Sequence, residues 1–341
     1  MEKRPTIRDI AREAGVSDTT VSLAFVQNSR ISNYTRQRVL EIAKSLKYFP
    51  NRLARDLRYG QSKTIGFVVT DITDPFYSRM IRSAERISLR LGYNMLFAEH
   101  NWEPEREIKI ISNLIENRAL GVIMCFSEKT EESLNLIEQT NLYVVAVDTV
   151  PHFYKGPYVI NDLVEAGRIA AKHLVEVGCR HPVFFNSHDS MATFSSFQIM
   201  LKGFRRFLQS QPVAFDDSSV INAGFDIDGG VKGFKHLLGT RKPFDGIFCV
   251  NDLCALGAME AAEKNGYRIG ENLAIMGIDN IELSGISRIS LTSISQPYDE
   301  IIQLATDALI ESIEQGKPCK IKKSLKPILV TRNSTKLSNS K

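Results

Sequence analysis

TIRDIAREAGVSDTTVS, residues 6–22, reads as two short helices joined by a tight turn. Thr6 can cap the first helix, with Asp9 well placed in its first turn. Ile7, Ile10, Ala11 and Ala14 recur at helical spacing and form its buried stripe. Gly15 tolerates the left-handed backbone that a helix end needs. Ser17 caps the second helix, and Val16 and Val21 stand where a hydrophobic staple places its two members. Val21 and Ala24 face inward, which leaves Asp18, Thr19, Ser22 and Leu23 outward. A third helix follows in ISNYTRQRVLEIAKSLKYFP, residues 31–50, with Ser32 as its cap, Val39, Ile42, Ala43 and Leu46 as its stripe, and Pro50 as its stop. Three short helices with a glycine turn between the first two make a helix-turn-helix, whose second helix enters the major groove of DNA. A generic three-helix bundle is the competing reading. Asp18 also has two readings: an acid favoured by the helix dipole, or an acceptor for cytosine N4.

Charge supports the DNA reading. Residues 1–60 hold 12 Lys and Arg against 6 Asp and Glu, a net of +6, so a chain of formal charge +4 carries −2 in its other 281 residues. A basic head on a slightly acidic body is suited to a polyanion. PNRLARDLRYG, residues 50–60, closes the head. Leu53 and Leu57 share one helical face between Arg52, Arg55 and Arg58. Helices below about 12–15 residues are marginal alone in water, so this segment reads as a helix that needs a partner.

From Lys63 onward short apolar runs alternate with amphipathic ones. Residues 65–69, 93–98, 121–126 and 143–147 read as buried parallel strands, with helices near 76–91, 104–117 and 130–139 between them. A second set has strands at 182–185, 219–223, 246–250 and 273–278 and helices near 162–178, 196–210, 228–238 and 253–265. Repeated βαβ units predict an α/β body of two doubly wound parallel-sheet lobes. Such sheets bind ligands beyond the carboxyl ends of their strands. The residues found there are TDITDPFY (70–77), Asp148 and Thr149, Asn251 and Asp252, Asp279 and Asn280, with Gln296 near a further crossing. Carboxylates and amides, walled by Phe76, Tyr77 and Phe225, suit a small polyhydroxylated or heterocyclic ligand. Each acid or amide could equally cap the next helix, as Asp74 before Pro75 and Asp252 before LCALGAMEAA would.

Several classes are excluded. At 43 % hydrophobic and 24 % charged residues, the composition is that of a soluble protein. No run approaches the ~18 apolar residues of a membrane span, and MEKRPTIRDI is not a secretory signal. The five cysteines form no CxxC and read as reduced thiols of a cytoplasmic protein. No histidine spacing suggests a metal, no glycine-rich fingerprint suggests a nucleotide cofactor, and no GxSxG or comparable constellation suggests an enzyme. Neither cofactor nor catalytic residue is expected.

In order, these segments resemble the lac repressor (LacI/GalR) family of bacterial transcription regulators. The likeness runs from Thr6 to Thr335 through TIRDIAREAGVSDTTVS, RISNYTRQRVLEIAKSLKYFPNRLARDLR, IGFVVTDITDPFY, FCVNDLCALGAMEA, AIMGIDN, LTSISQP and LVTRNST. It implies a headpiece at 1–49, a hinge helix at 50–60, and a core like periplasmic sugar-binding proteins. That core has an N-terminal lobe (61–161 plus 292–321) and a C-terminal lobe (162–291 plus 322–337), with the chain crossing near Asn161, Leu291 and Lys322. It also implies a homodimer on a palindromic operator. A tetramer is disfavoured, because KLSNSK after Thr335 is too short for a helical zipper. By position, the resemblance assigns DNA contacts to Thr6, Ser17, Asp18, Thr19, Thr20, Ser22, Leu23, Tyr34, Asn51, Arg52, Ala54 and Arg55, and the minor-groove wedge to Leu57. It assigns effector contacts to Asp74, Phe76, Tyr77, Asp148, Ser196, Met200, Phe225, Asn251, Asp252, Asp279 and Gln296. Three positions depart from the family pattern. Met200, Thr149 and Leu23 stand where arginine is common, and methionine has no hydrogen to donate. The first two departures point away from an ordinary sugar or an anion, toward a less polar effector or none. A constitutive DNA binder with a degenerate pocket is therefore the alternative to an effector-responsive repressor.

Overall fold

The computed structural model describes residues 5–25, 29–48, 62–127, 130–148, 150, 151, 153–187 and 196–337. The chain divides into two compact units, Met1–Ser62 and Lys63–Lys341.

In the first unit, α1 (Ile7–Ala14), α2 (Asp18–Ala24) and α3 (Asn33–Ser45) surround a small core of Ile10, Ala11, Ala14, Val21, Ala24, Val39 and Ala43. Thr6 and Asp9 form a reciprocal capping box, and Gly15 closes α1 at φ 64°. Ser17 and Ser32 cap α2 and α3 through the backbone N–H of Thr20 and Thr35. The expected stop at Pro50 is a correction. Helix α3 ends at Ser45, and Lys47 turns left-handed at φ 52°. That turn brings the Tyr48 ring to 5.9 Å from Phe25, so packing ends the helix before the proline can.

In the second unit, the first sheet has the order β11-β5-β4-β3-β1-β2, in which β1 is Thr64–Val69, β2 Asn94–Glu99, β3 Gly121–Met124, β4 Tyr143–Val147, β5 Tyr158–Asn161 and β11 Lys322–Leu325. All its pairings are parallel. Helices α4 (Pro75–Arg90), α5 (Pro104–Glu116), α6 (Glu131–Glu138) and α11 (Tyr298–Gln315) cover it. The second sheet runs β12-β10-β9-β8-β6-β7, with β6 Pro182–Asn186, β7 Val220–Asn222, β8 Gly246–Cys249, β9 Ala274–Ile278, β10 Thr292–Ser295 and β12 Ile328–Val330. Only β12 is antiparallel, to β10. Helices α7 (Leu163–Glu176), α8 (Ser196–Leu208), α9 (Ile227–Gly239) and α10 (Asp252–Lys264) flank it. These are two doubly wound α/β lobes.

The lobe limits differ from expectation. The first crossing follows Asn161. Strand β10 pairs with β9, so residues 292–295 belong to the second sheet, and β11 pairs with β5, so 322–325 belong to the first. The second and third crossings therefore follow Ser295 and Leu325, rather than Leu291 and Lys322. TSIS and KKSL join their sheets through backbone hydrogen bonds and carry almost no apolar signal, which hid them. Strand β2 also departs from the buried reading. As an edge strand it leaves Leu96 and Phe97 each 40 % exposed. Helix α11, with Ile301, Ile302, Ala305 and Leu309 on its inner face, had no expected counterpart.

One close approach sets the position of α8. A Cβ on Gly167 would lie 1.9 Å from the Met200 carbonyl, and one on Gly203 would lie 2.0 Å from that of Val164. Only glycine at both places lets α7 and α8 touch backbone to backbone.

Candidate functional site

Strand ends of both sheets open onto one cavity of about 770 Å³, its mouth included. Thr70 follows β1 and Asp74 caps α4, its Oδ1 accepting from the Phe76 N–H at 2.8 Å. Asp148 follows β4 with left-handed backbone, φ 60°, and its Oδ2 accepts from the Tyr77 hydroxyl at 2.8 Å. Asn251 follows β8. Its Oδ1 accepts from the Cys254 N–H at 2.8 Å, and its amide donates to the Phe225 carbonyl at 2.6 Å. Asp279 follows β9 at φ 106° and accepts from the Gln296 amide at 2.5 Å. Non-glycine residues at positive φ cost energy and recur at ligand sites. Asp74 and Asn251 show that capping and cavity lining coexist in the same side chain.

Electrostatics follow from burial among like charges. Burial raises the Asp74 carboxyl to about 6, with Asp71 and Asp148 adding to the rise and hydrogen bonds from Phe76 and Asn251 opposing it. Asp279 is pushed well above the carboxylate range, first by burial and then by Asp74 and Asp252. Burial, then Asp148, raises the Tyr77 phenol, so that hydroxyl stays a donor. Among the described residues the lining contains no Lys, Arg or His. Two nearby guanidiniums are committed elsewhere. Arg79 donates to the Asn280 carbonyl at 2.9 Å and lies over the Tyr298 ring, and Arg332 donates to the Asn280 side chain and the Leu291 carbonyl, each at 2.6 Å.

Ten of the eleven expected effector positions line this cavity: Asp74, Phe76, Tyr77, Asp148, Ser196, Met200, Phe225, Asn251, Asp279 and Gln296. Asp252 does not, and is corrected. Fully buried at the start of α10, it accepts from the Ile281 N–H at 2.9 Å and from the Ser284 and Ser293 hydroxyls at 2.6 Å each. One step along a helix turned it from the cleft into the lobe. Trp102 and Phe126 line the cavity without having been expected. Trp102 stands beyond β2, at φ 58° after Asn101 at φ 50°, and its ring lies 4.4 Å from Phe225. The Trp102 backbone N–H donates to His100 Nδ1 at 3.1 Å, so His100 uses Nε2 to donate to the Cys125 carbonyl at 3.0 Å. Applying the strand-end rule to EHNW (99–102) would have found it. Phe126 was counted inside a strand that stops at Met124.

In the headpiece, Asp18, Thr19 and Tyr34 are exposed, and Leu23 is half-buried. Ser22, expected outward, is 9 % exposed, with its hydroxyl donating to the Asp18 carbonyl at 2.9 Å. Ser17 and Thr20 hydroxyls bond each other at 2.9 Å, and Thr6 is engaged in its capping box. Asp18 lies 3.7 Å from Arg8. Asn51, Arg52, Ala54, Arg55 and Leu57, like the whole expected hinge helix at 50–60, lie outside the described residues, as does Thr149.

Residues 6–51 match the model of bacterial regulatory proteins of the lacI family, and residues 171–335 match a periplasmic binding protein-like domain. The chain is 30 % identical over 335 residues to the HTH-type transcriptional repressor PurR of Vibrio campbellii, covering 98 % of this chain and 99 % of that one. The chain belongs to the LacI family. It is a DNA-binding transcriptional repressor and not an enzyme. PurR of Aliivibrio fischeri (strain MJ11) is 29 % identical, with 96 % and 98 % covered. Among solved structures, the lac repressor dimer bound to operator and the anti-inducer ONPF superposes with a TM-score of 0.84 at 26 % identity, covering 98 % and 99 %. The regulator CelR in complex with cellobiose shares the fold of this LacI-family chain, with a TM-score of 0.73 at 23 % identity over 97 % and 100 %. Among the described residues no helix is long and apolar enough to cross a membrane, and no group of acids, histidines and cysteines is placed to hold a metal.

Proposed function

We propose that this repressor acts in the cytoplasm as a homodimer on a palindromic operator, and that its effector binds in the cleft between the two α/β lobes. The observation that carries the reading is the convergence of strand-end polar groups from both sheets on one cavity, with aromatic rings between them. Helix α2 supplies the groove-reading face through Asp18, Thr19 and Leu23. Leu23 suits a thymine methyl better than a guanine edge. The hinge at 50–60 completes the contact, with Leu57 opening a base step and Arg52 and Arg55 adding a salt-dependent phosphate term. A ligand that joins the lobes alters the spacing of paired hinges, and a coupling of about 1–3 kcal/mol changes operator affinity several-fold to a hundredfold.

Leu57→Ala tests the DNA half. It lowers affinity for an operator far more than for random DNA, and an equal loss on both contradicts the wedge. The effector half is tested by operator binding with and without candidate ligands. Met200, in place of the family's arginine, favours one second reading, a constitutive binder with a degenerate pocket. That reading predicts tight operator binding indifferent to every small molecule.

A further inference from the structure

We propose that His100 and Glu107, buried together behind the cleft wall of the first lobe, are positioning residues that fix Trp102 and Phe126 in the cavity, and that the imidazole makes this wall release Trp102 on acidification. The inference rests on the reading of the cleft as the effector site and deepens it.

Both side chains are fully buried, at 0 % exposure, and each is spent on backbone that carries a cavity ring. His100 follows β2. Its Nδ1 accepts from the Trp102 N–H at 3.1 Å, and its Nε2 donates to the Cys125 carbonyl at 3.0 Å. Glu107, on α5, accepts from the Ser127 N–H at 2.5 Å and from the Thr130 hydroxyl. Phe126 is thus gripped on both sides, through the carbonyl before it and the N–H after it. Trp102 depends on His100 alone for its N–H. Asn101 and Trp102 are consecutive left-handed residues, at φ 50° and 58°, and such backbone persists only where its surroundings over-determine it. The Trp102 ring lies 4.4 Å from that of Phe225, a residue of the second lobe. A shift of Trp102 therefore alters both the cavity and a contact between the lobes.

One tautomer alone satisfies both partners of His100, with a proton on Nε2 and none on Nδ1. A second proton would set an imidazolium N–H against the Trp102 N–H, and the contact would become repulsive. The charged groups facing the ring are Glu107 and Arg106 on α5 and Glu99 on β2. Burial lowers the imidazole below its ordinary 6.5, with Arg106 adding to the fall, while Glu107, the Cys125 carbonyl and Glu99 oppose it. The ring thus stays neutral and accepting near neutral pH. The fold loses stability as pH drops below 6.5, where the unfolded chain takes up a proton that the buried ring resists. The Trp102 contact breaks once the ring itself is protonated.

Trp102 is the chain's one tryptophan, so the emission of the intact protein reports on this wall. Its wavelength and its quenching by acrylamide are followed from about pH 8 to about pH 5, the range in which imidazoles titrate. On acidification the unaltered chain is expected to shift reversibly to longer wavelength and to quench more strongly. His100→Gln offers an acceptor and a donor but does not titrate, and should keep the pH 8 emission throughout. Asp74 titrates in the same range in both proteins, so the difference between them belongs to the imidazole. His100→Leu should show the released emission already at pH 8. Glu107→Gln removes the acid that favours the imidazolium, and should move the transition to lower pH. Identical pH profiles for the unaltered chain and His100→Gln overturn the acid response. Unchanged emission of His100→Leu at pH 8 overturns the positioning role. Should circular dichroism show that His100→Leu does not fold, an unmoved transition in Glu107→Gln overturns the pair instead. Operator binding at pH 8, with and without the small-molecule fraction of a cell extract, separates this inference from the ligand-gated reading. A response of equal size in the unaltered chain and a folded His100→Leu overturns the positioning role. No response in any of these proteins, with emission as expected, sinks the gated reading and leaves the wall assignment standing.

Discussion

Two neighbouring polar residues show how much depends on a side chain's direction. Asn251 caps α10 and faces the cleft, while Asp252 turns inward to satisfy one backbone N–H and two hydroxyls. Asp252→Ala strands those donors, and losing a buried acceptor costs about 1–3 kcal/mol. Urea denaturation should show a loss of at least that size. Asp74 behaves differently. Its folded-state value, about 6, lies above the ordinary 3.8, because burial and the facing Asp71 and Asp148 disfavour its charge, against help from Asn251 and the Phe76 N–H. The folded chain therefore holds this proton more tightly than the unfolded chain. The resulting stability is full below about pH 4 and is lost as pH rises through about 6, with a size on the order of 3 kcal/mol. Denaturation at stepped pH should show that decline, and Asp74→Asn should flatten it. Most cleft residues were legible because polar groups after apolar runs mark strand ends. Trp102 carries the same signal, since HNW follows β2, but two consecutive left-handed residues, which no periodicity announces, decide where its ring lies.

At the scale of elements, the glycine contact between α7 and α8 sets where Met200 and Ser196 meet the cavity. Gly167→Ala forces the helices apart against a carbonyl. It should cost about 2–3 kcal/mol, in the range of overpacked cores. Gly239 in α9 has open space around it, so Gly239→Ala should be neutral or stabilise by up to about 1 kcal/mol. Equal effects at both sites in chemical denaturation would contradict the close-packing account. The starts of the headpiece helices were readable to the residue, because caps, staple and stripe are local signals that agree, whereas the end of α3 was not, because packing of Tyr48 on Phe25 rather than Pro50 sets it. Strands β10, β11 and β12 were not, because their membership is decided by distant backbone partners. Two of the three lobe crossings were misplaced for that reason.

At the scale of the whole molecule, a DNA-reading headpiece and a cleft-bearing body share one chain, and the account requires that the second control the first. The direct measurement is operator affinity of the intact protein at fixed salt, using a palindromic operator that the protein itself selects from random DNA. Fluorescence anisotropy is recorded with and without the small-molecule fraction of a cell extract, for the unaltered chain and for Asp279→Asn. The account predicts a five- to hundredfold change in the unaltered chain, reduced in the variant. Operator binding that is tight, specific and identical with and without the extract would contradict it.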